Sequence, residues 1–177
     1  MRGLEEIDRE FLATGLFTAA GIAGLLLSDA DWSVRAPTAL FYAVLVVNTW
    51  FSIRFFSRLP PVDRDESAID GLLTVLYIGL ALSIGRVVPF IAIAATMFFV
   101  AVAKYSLLRP VLNLPRTLGR KMAIDALGGL LCLAALFGAL AGFEWASAWA
   151  LALVFLVANV FLLLVEPMYR VFDSARS

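Results

Sequence analysis

The chain has 177 residues, of which 62% are apolar and only 16% are charged. Soluble domains carry about a quarter charged residues, so this composition excludes an ordinary water-soluble domain and indicates an integral membrane protein. The formal net charge is +0, and the basic residues fall in short clusters between apolar segments, so nothing in the charge pattern indicates a nucleic-acid partner.

Histidine is absent, and the single cysteine, Cys132, lies in the middle of an apolar segment. Histidine-dependent catalytic, haem and zinc sites are therefore excluded, as are thiol pairs. No glycine-rich phosphate loop follows a predicted strand, because no strand is predicted. The sequence thus predicts no catalytic residue, no metal site and no cofactor, and an enzyme is not expected.

Six apolar stretches approach or reach the roughly 20 residues that a helix needs to cross the hydrocarbon core. Because backbone groups in lipid must be hydrogen-bonded within the segment, each stretch predicts a helix. In chain order these helices are 11–27, 37–56, 68–85, 87–108, 122–142 and 145–165. The glycine, arginine and proline at 85–89 predict a tight hairpin between the third and fourth helices. The predicted fold is all-α: a polytopic membrane protein with six transmembrane helices in one domain, 1–177.

The basic residues predict the orientation of these helices. Of the 14 lysines and arginines, 12 fall on one side of the predicted membrane, and only Arg35 and Arg86 fall on the other. Positively charged loops stay in the cytoplasm, so both termini are expected there. The expected location is the cytoplasmic (inner or plasma) membrane, with the lipid bilayer as a partner.

A short repeat marks the three helices that start on the cytoplasmic side. An Ile-Asp pair occurs near the start of each, at 7–8, 69–70 and 124–125, and each returning helix ends near a proline. This pattern suggests three helical hairpins related by a pseudo-threefold axis. A chance match among apolar helices is the competing interpretation.

Two acidic residues lie near predicted helix starts. Asp125 follows Lys121 by four residues, so the two side chains are expected to pair on one helix face. If a carboxylate binds a cation or proton, Asp125 is the first candidate. Asp70 follows Ser67 by three residues, which is typical of a capping box at a helix N-terminus, with an ion or proton site as the alternative.

Asn48, Thr49 and Asn159 are the polar residues placed most clearly inside predicted membrane helices. Such side chains usually form hydrogen bonds between helices. Binding of a solute along a pathway is the alternative for the same residues.

Small residues recur at spacings of four on two helices. Ala134, Gly138 and Gly142 follow this pattern on the fifth predicted helix, and Ala20 and Gly24 on the first. Small residues at this spacing let helix backbones approach closely, either within one bundle or between subunits.

By elimination, the expected function is a small permeation component: a channel or transporter subunit for an ion or small solute. The expected assembly is a homo-oligomer or a complex with another membrane protein. The alternative is a non-transporting scaffold or assembly subunit of a larger complex. A lipid-modifying enzyme would require the acidic turn that begins at Asp63 to bind a metal.

Overall fold

The computed structural model describes residues 2–56, 64–109 and 115–165, and every regular element in them is a helix. The helices are α1 (Arg2–Leu27), α2 (Trp32–Phe56), α3 (Arg64–Leu82), α4 (Val87–Leu108), α5 (Pro115–Leu140) and α6 (Glu144–Val160). A π-helical turn, Phe161–Val165, continues α6. The prediction of an all-α fold is therefore confirmed.

Four helical segments are long and apolar enough to cross a membrane. They are Trp32–Phe55, Val87–Leu108, Leu118–Leu140 and Glu144–Val165. The apolar parts of α1 and α3 are shorter, at Phe11–Leu27 and Ser67–Leu82. The bundle is thus that of a membrane protein with several transmembrane helices.

The helix boundaries differ from the predicted ones mainly at the N-terminal ends. α1 begins at Arg2 instead of residue 11, and α5 begins at Pro115 instead of residue 122. Hydropathy identifies only the part of a helix that suits lipid, whereas the backbone continues helically through polar residues at the surface. α3 ends at Leu82, three residues earlier than predicted, because the turn to α4 starts there.

The helices form a closed ring in the order α1, α2, α6, α5, α4 and α3. The pairs α1–α2, α3–α4 and α5–α6 form hairpins, and the hairpins meet at three junctions: α1 with α3, α2 with α6, and α4 with α5. A threefold axis would make these junctions equivalent. They instead join two odd-numbered helices, two even-numbered helices and one of each, so the suggested pseudo-threefold arrangement is wrong for the described helices.

Two of the turns meet at one end of the bundle. Gly85 has a φ of 85° in the predicted hairpin between α3 and α4, a conformation that glycine adopts without a Cβ clash. Its backbone N–H donates to Thr38 Oγ1 at 3.1 Å. A Cβ on Gly85 would lie 2.2 Å from Ser28 Oγ in the α1–α2 turn. The two turns are therefore packed directly against each other.

The core on that side of the molecule is densely filled. Phe41 and Phe90 are each 1% exposed and pack edge to face at 5.6 Å between ring centroids. Ala94 of α4 and Ala152 of α6 are both 0% exposed, and small side chains such as these allow neighbouring helices to pack closely. Toward the other end, the packing opens into a cavity.

Candidate functional site

A cavity of about 90 Å³ lies among α2, α4, α5, α6 and the turn that continues α6. Eleven of the residues lining it are apolar or glycine, and four are polar: Asn48, Lys121, Asp125 and Asn159. A volume of this size holds more than one water molecule or a small polar group. The cavity therefore brings together three of the five predicted pathway residues, namely Asn48, Asp125 and Asn159.

These three residues lie at one level along the bundle axis. Asn48 precedes the end of its apolar segment at Phe55 by seven residues, and Asp125 follows the start of its segment at Leu118 by seven. Asn159 precedes the end of its segment at Val165 by six. At 1.5 Å per residue, all three are about 10 Å inside the same end of the bundle. The polar part of the cavity is therefore a single layer.

The predicted pair of Lys121 and Asp125 is present and is buried. Lys121 Nζ donates to Asp125 Oδ1 at 2.6 Å, and the two residues are 7% and 2% exposed. The ammonium group also lies 5.6 Å from the ring centroid of Tyr105 on α4. α4 covers this pair, which lies where α4 and α5 pack together. Burying two charges requires mutual pairing, since each is costly alone in a medium of low dielectric constant.

Close packing of α4 against α5 explains this burial. A Cβ on Gly128 would lie 2.9 Å from Phe98, and one on Gly129 would lie 2.9 Å from Phe99. This contact was not predicted, although two adjacent glycines inside an apolar helix are a recognisable signal for close approach. The glycines let α4 approach the face of α5 that carries Asp125.

One oxygen of the carboxylate has no partner in the described part of the chain. Asp125 Oδ2 is buried and accepts no hydrogen bond there, while Oδ1 accepts from Lys121. Asn159, 5% exposed, donates Nδ2 to the carbonyl of Phe155 at 2.8 Å. That bond orients the amide, because only its nitrogen can donate. At Asp125 and Asn159 the site therefore presents oxygens that can accept a hydrogen bond.

Thr49 and Asp70 lie away from the cavity. Thr49 Oγ1 donates to the carbonyl of Leu45 at 2.8 Å and shares a hydrogen bond with the Tyr77 hydroxyl of α3. Asp70 forms an ion pair with Lys104 of α4. Both contacts join helices.

The predicted capping role of Ser67 and Asp70 is wrong. α3 begins at Arg64, so both residues lie inside the helix and not at its start. The helix extends further toward the N-terminus than its apolar stretch, and the partner of Asp70 is a lysine on the neighbouring helix.

The predicted packing residues have different surroundings. A Cβ on Gly24 would lie 1.9 Å from the Ala81 carbonyl oxygen, so α1 and α3 touch there, and Ala20 packs against the core. Gly138 faces Ser147 of α6. A Cβ added to Gly138 would lie 2.6 Å from the Ser147 hydroxyl oxygen.

Two members of the small-residue pattern on the fifth helix pack against no neighbouring helix in the described chain. Ala134 is exposed. Gly142 lies beyond the end of α5, in a turn where its φ of 94° favours glycine. Its placement on the packing face of the fifth helix is therefore wrong.

The described residues contain no candidate metal site. They contain no group of three or more Cys, Asp or Glu side chains that could hold a metal ion. Asp63, where the acidic turn begins, lies outside the described residues.

No protein-family model, curated protein or solved structure matches this chain, so the cavity and its residues carry the functional argument alone.

Proposed function

We propose that this chain is a small membrane carrier, a permeation component that binds a solute in the cavity and moves it across the bilayer. The observation that supports this function is the convergence of Asn48, Asp125 and Asn159 on one cavity from three different helices. Ionisable and amide groups are costly inside a membrane and are commonly found on solute or ion pathways. A bundle with only a packing role has no need for an unpaired carboxylate oxygen facing a cavity.

The carrier type is favoured over an open channel because the far side of the cavity is filled. Phe41 stacks on Phe155 at 4.3 Å between ring centroids, and Phe98 packs edge to face on Phe155 at 5.8 Å. Beyond these rings lies the tightly packed core around Phe90. A solute in the cavity would therefore cross only after a conformational change, as in alternating access.

We also propose that all six helices cross the membrane. The turn between α1 and α2 contacts the turn between α3 and α4, which supports placing both turns on the same side. α3 then has to cross the bilayer. Its 19 residues extend about 28 Å, close to the thickness of the hydrocarbon core.

The charge distribution supports an orientation with both termini in the cytoplasm of the cell. Arg35 and Arg86 lie near the two turns that contact each other, which is the end with few basic residues. In this orientation the polar layer lies on the cytoplasmic side of the membrane.

The alternative function is a scaffold or assembly subunit. A scaffold needs a sealed interior and small residues on an outer face. Ala134 is exposed on α5, but Gly24 and Gly138 contact groups within this chain. The exposed apolar face of α5 around Leu130 and Phe137 is where a second copy or another membrane protein would pack.

Cysteine labelling separates the two functions. Single cysteines would replace Asn48 and Asn159 in a Cys132→Ala background, with Ala94→Cys and Ala152→Cys as matched controls in the packed core. Purified protein in nanodiscs would be treated with a small membrane-permeant maleimide and, separately, with a charged impermeant thiol reagent. We expect at least the permeant reagent to label positions 48 and 159 and to leave 94 and 152 unlabelled. Equal protection of all four positions would mean a sealed bundle and favour the scaffold.

Transport itself is tested in proteoliposomes. Vesicles with wild-type protein should take up a solute from a mixture of small and long-chain alcohols, amines and amides faster than vesicles with Asn159→Leu, measured by mass spectrometry of their contents. Identical uptake of every compound by both proteins would contradict the carrier function, even if the cavity is labelled.

A further inference from the structure

The polar layer of the cavity lacks hydrogen-bond donors for two of its oxygens. Asp125 Oδ2 is buried and accepts no hydrogen bond from the described residues. Asn159 uses its Nδ2 on the Phe155 carbonyl, and its Oδ1 accepts nothing from the described chain. Asp125 Oδ2 is a buried acceptor without a donor, which is unfavourable, and Asn159 Oδ1 can accept a second hydrogen bond, so a ligand that fits this cavity supplies O–H or N–H groups.

The charge of the site favours a neutral ligand. Lys121 and Asp125 already neutralise each other at 2.6 Å, and the other lining residues carry no charge. A cation or anion would add an unpaired charge to a cavity whose walls are mainly apolar, which is strongly unfavourable in a low-dielectric environment. A neutral head group with two donors satisfies both oxygens without that cost.

The walls of the cavity indicate an apolar chain behind that head group. On α5 the lining residues Leu127 and Leu131 are 58% and 39% exposed, and on α6 Val154 is 47% exposed. Ala158 continues the α6 row one turn further on and is also exposed. These two rows border the cavity on the outer surface of the bundle, where acyl chains surround a membrane protein. The cavity therefore opens sideways to the bilayer between α5 and α6.

We propose that the cavity binds, from the bilayer, a neutral amphiphile whose head carries two hydroxyl groups and whose chain lies between α5 and α6. One hydroxyl donates to Asp125 Oδ2 and the other to Asn159 Oδ1. This inference rests on the carrier function and names its substrate class, a lipid-like diol.

A graded set of probes tests the head group. Wild-type protein in nanodiscs would be photo-crosslinked with a long-chain 1,2-diol that bears a diazirine and an alkyne on its chain, and the crosslinked residues would be mapped by mass spectrometry. Competitors would be hexadecane-1,2-diol, hexadecan-1-ol and the dimethyl ether of the diol, which offer two, one and no donors. We expect crosslinks at the rim formed by Leu127, Leu131 and Val154. Competition should weaken about fivefold for each donor removed.

Matched variants test the position of the ligand. Val154→Trp fills the rim and should abolish the crosslink, whereas Val157→Trp, on an exposed part of α6 outside the cavity, should leave it unchanged. Asn159→Leu removes one acceptor and should reduce the advantage of the diol over the alcohol. Asp70→Asn removes an ion pair outside the cavity and should leave the crosslink unchanged.

The outcomes distinguish this inference from the carrier function. Equal competition by diol and ether would overturn head-group recognition. Labelling of cysteines 48 and 159 by the charged reagent, without any lipid crosslink, would keep a water-filled carrier cavity and overturn the lipid substrate. Failure of both labelling and crosslinking would overturn both proposals. A disulfide-linked dimer of Val154→Cys would mean that a second copy covers the opening, which also overturns the lipid site.

Discussion

At the scale of single residues, the buried pair of Lys121 and Asp125 is the feature whose loss should cost most. In Lys121→Met, Asp125 would keep a buried position, 2% exposed, with no cationic partner. Breaking a buried pair in this way is expected to destabilise the protein by about 3–5 kcal/mol, while replacing both partners with apolar residues is often nearly neutral. Lys121→Met should therefore lower the thermal midpoint strongly, and Lys121→Met with Asp125→Leu should restore much of it.

The pair between Asp70 and Lys104 provides the control for this comparison. The Asp70 side chain is 51% exposed, so Lys104→Met should change the free energy of unfolding by about 1 kcal/mol or less. Thermal unfolding of all variants in the same detergent gives the result. An equal effect of Lys104→Met and Lys121→Met would contradict the argument that burial makes the second pair sensitive.

The sequence predicts residue contacts well only where they are local. The spacing of Lys121 and Asp125 by four residues is sufficient to predict their pairing on one helix. The grouping of Asp125 with Asn48 and Asn159 was not predictable, because it depends on which helices become neighbours. Asp70 shows the same limit, since its partner Lys104 lies 34 residues away on another helix.

At the scale of the helices, the crossing of α1 and α3 depends on a glycine. A Cβ at Gly24 would lie 1.9 Å from a backbone carbonyl oxygen of α3, and backbone cannot move aside as a flexible side chain can. Gly24→Ala should therefore force the two helices apart and destabilise the protein by about 1–3 kcal/mol, the usual range for overpacking.

Gly15 on the same helix is the matched control. Nothing lies within 4 Å of a Cβ added there, so Gly15→Ala should be neutral or slightly stabilising, as alanine favours helix more than glycine does. Thermal unfolding of the two variants measures the difference. A comparable loss in Gly15→Ala would show that helix propensity or lipid contact, and not the α1–α3 crossing, accounts for the effect.

Small-residue spacing alone could not distinguish these positions. The sequence indicated Ala20 and Gly24 on the first helix and Ala134, Gly138 and Gly142 on the fifth, but the spacing gives no direction in the bundle. Gly24 proved to face a helix, while Ala134 faces outward. The identity of the neighbour depends on the tertiary arrangement, which hydropathy does not encode.

At the scale of the whole molecule, the predicted helices are present, but their order in the ring was not predictable. Hairpins follow from short turns, and the turn at Gly85 was recognised from its glycine, arginine and proline. The junction of α2 with α6 joins segments far apart in sequence, through faces that are apolar like most others. That junction creates the cavity, so the candidate site depends on the least predictable contact in the molecule.

The number of membrane crossings can be decided by placing cysteines in the turns. With six crossings, cysteines at Asp29, Arg86 and Glu144 lie outside, and one at Arg109 lies in the cytoplasm. If only α2, α4, α5 and α6 crossed, Asp29 would share a side with Arg109, opposite Arg86 and Glu144. In a Cys132→Ala background, an impermeant thiol reagent applied to intact cells should therefore label positions 29, 86 and 144, and label 109 only after permeabilisation.

We expect the labelling pattern of six crossings because Gly85 donates to Thr38 and packs against Ser28, which joins the two turns at one end of the bundle. Labelling of positions 29 and 86 from opposite sides would separate turns that are in contact in this structure, and would overturn both the six-helix topology and the placement of the polar layer near the cytoplasm.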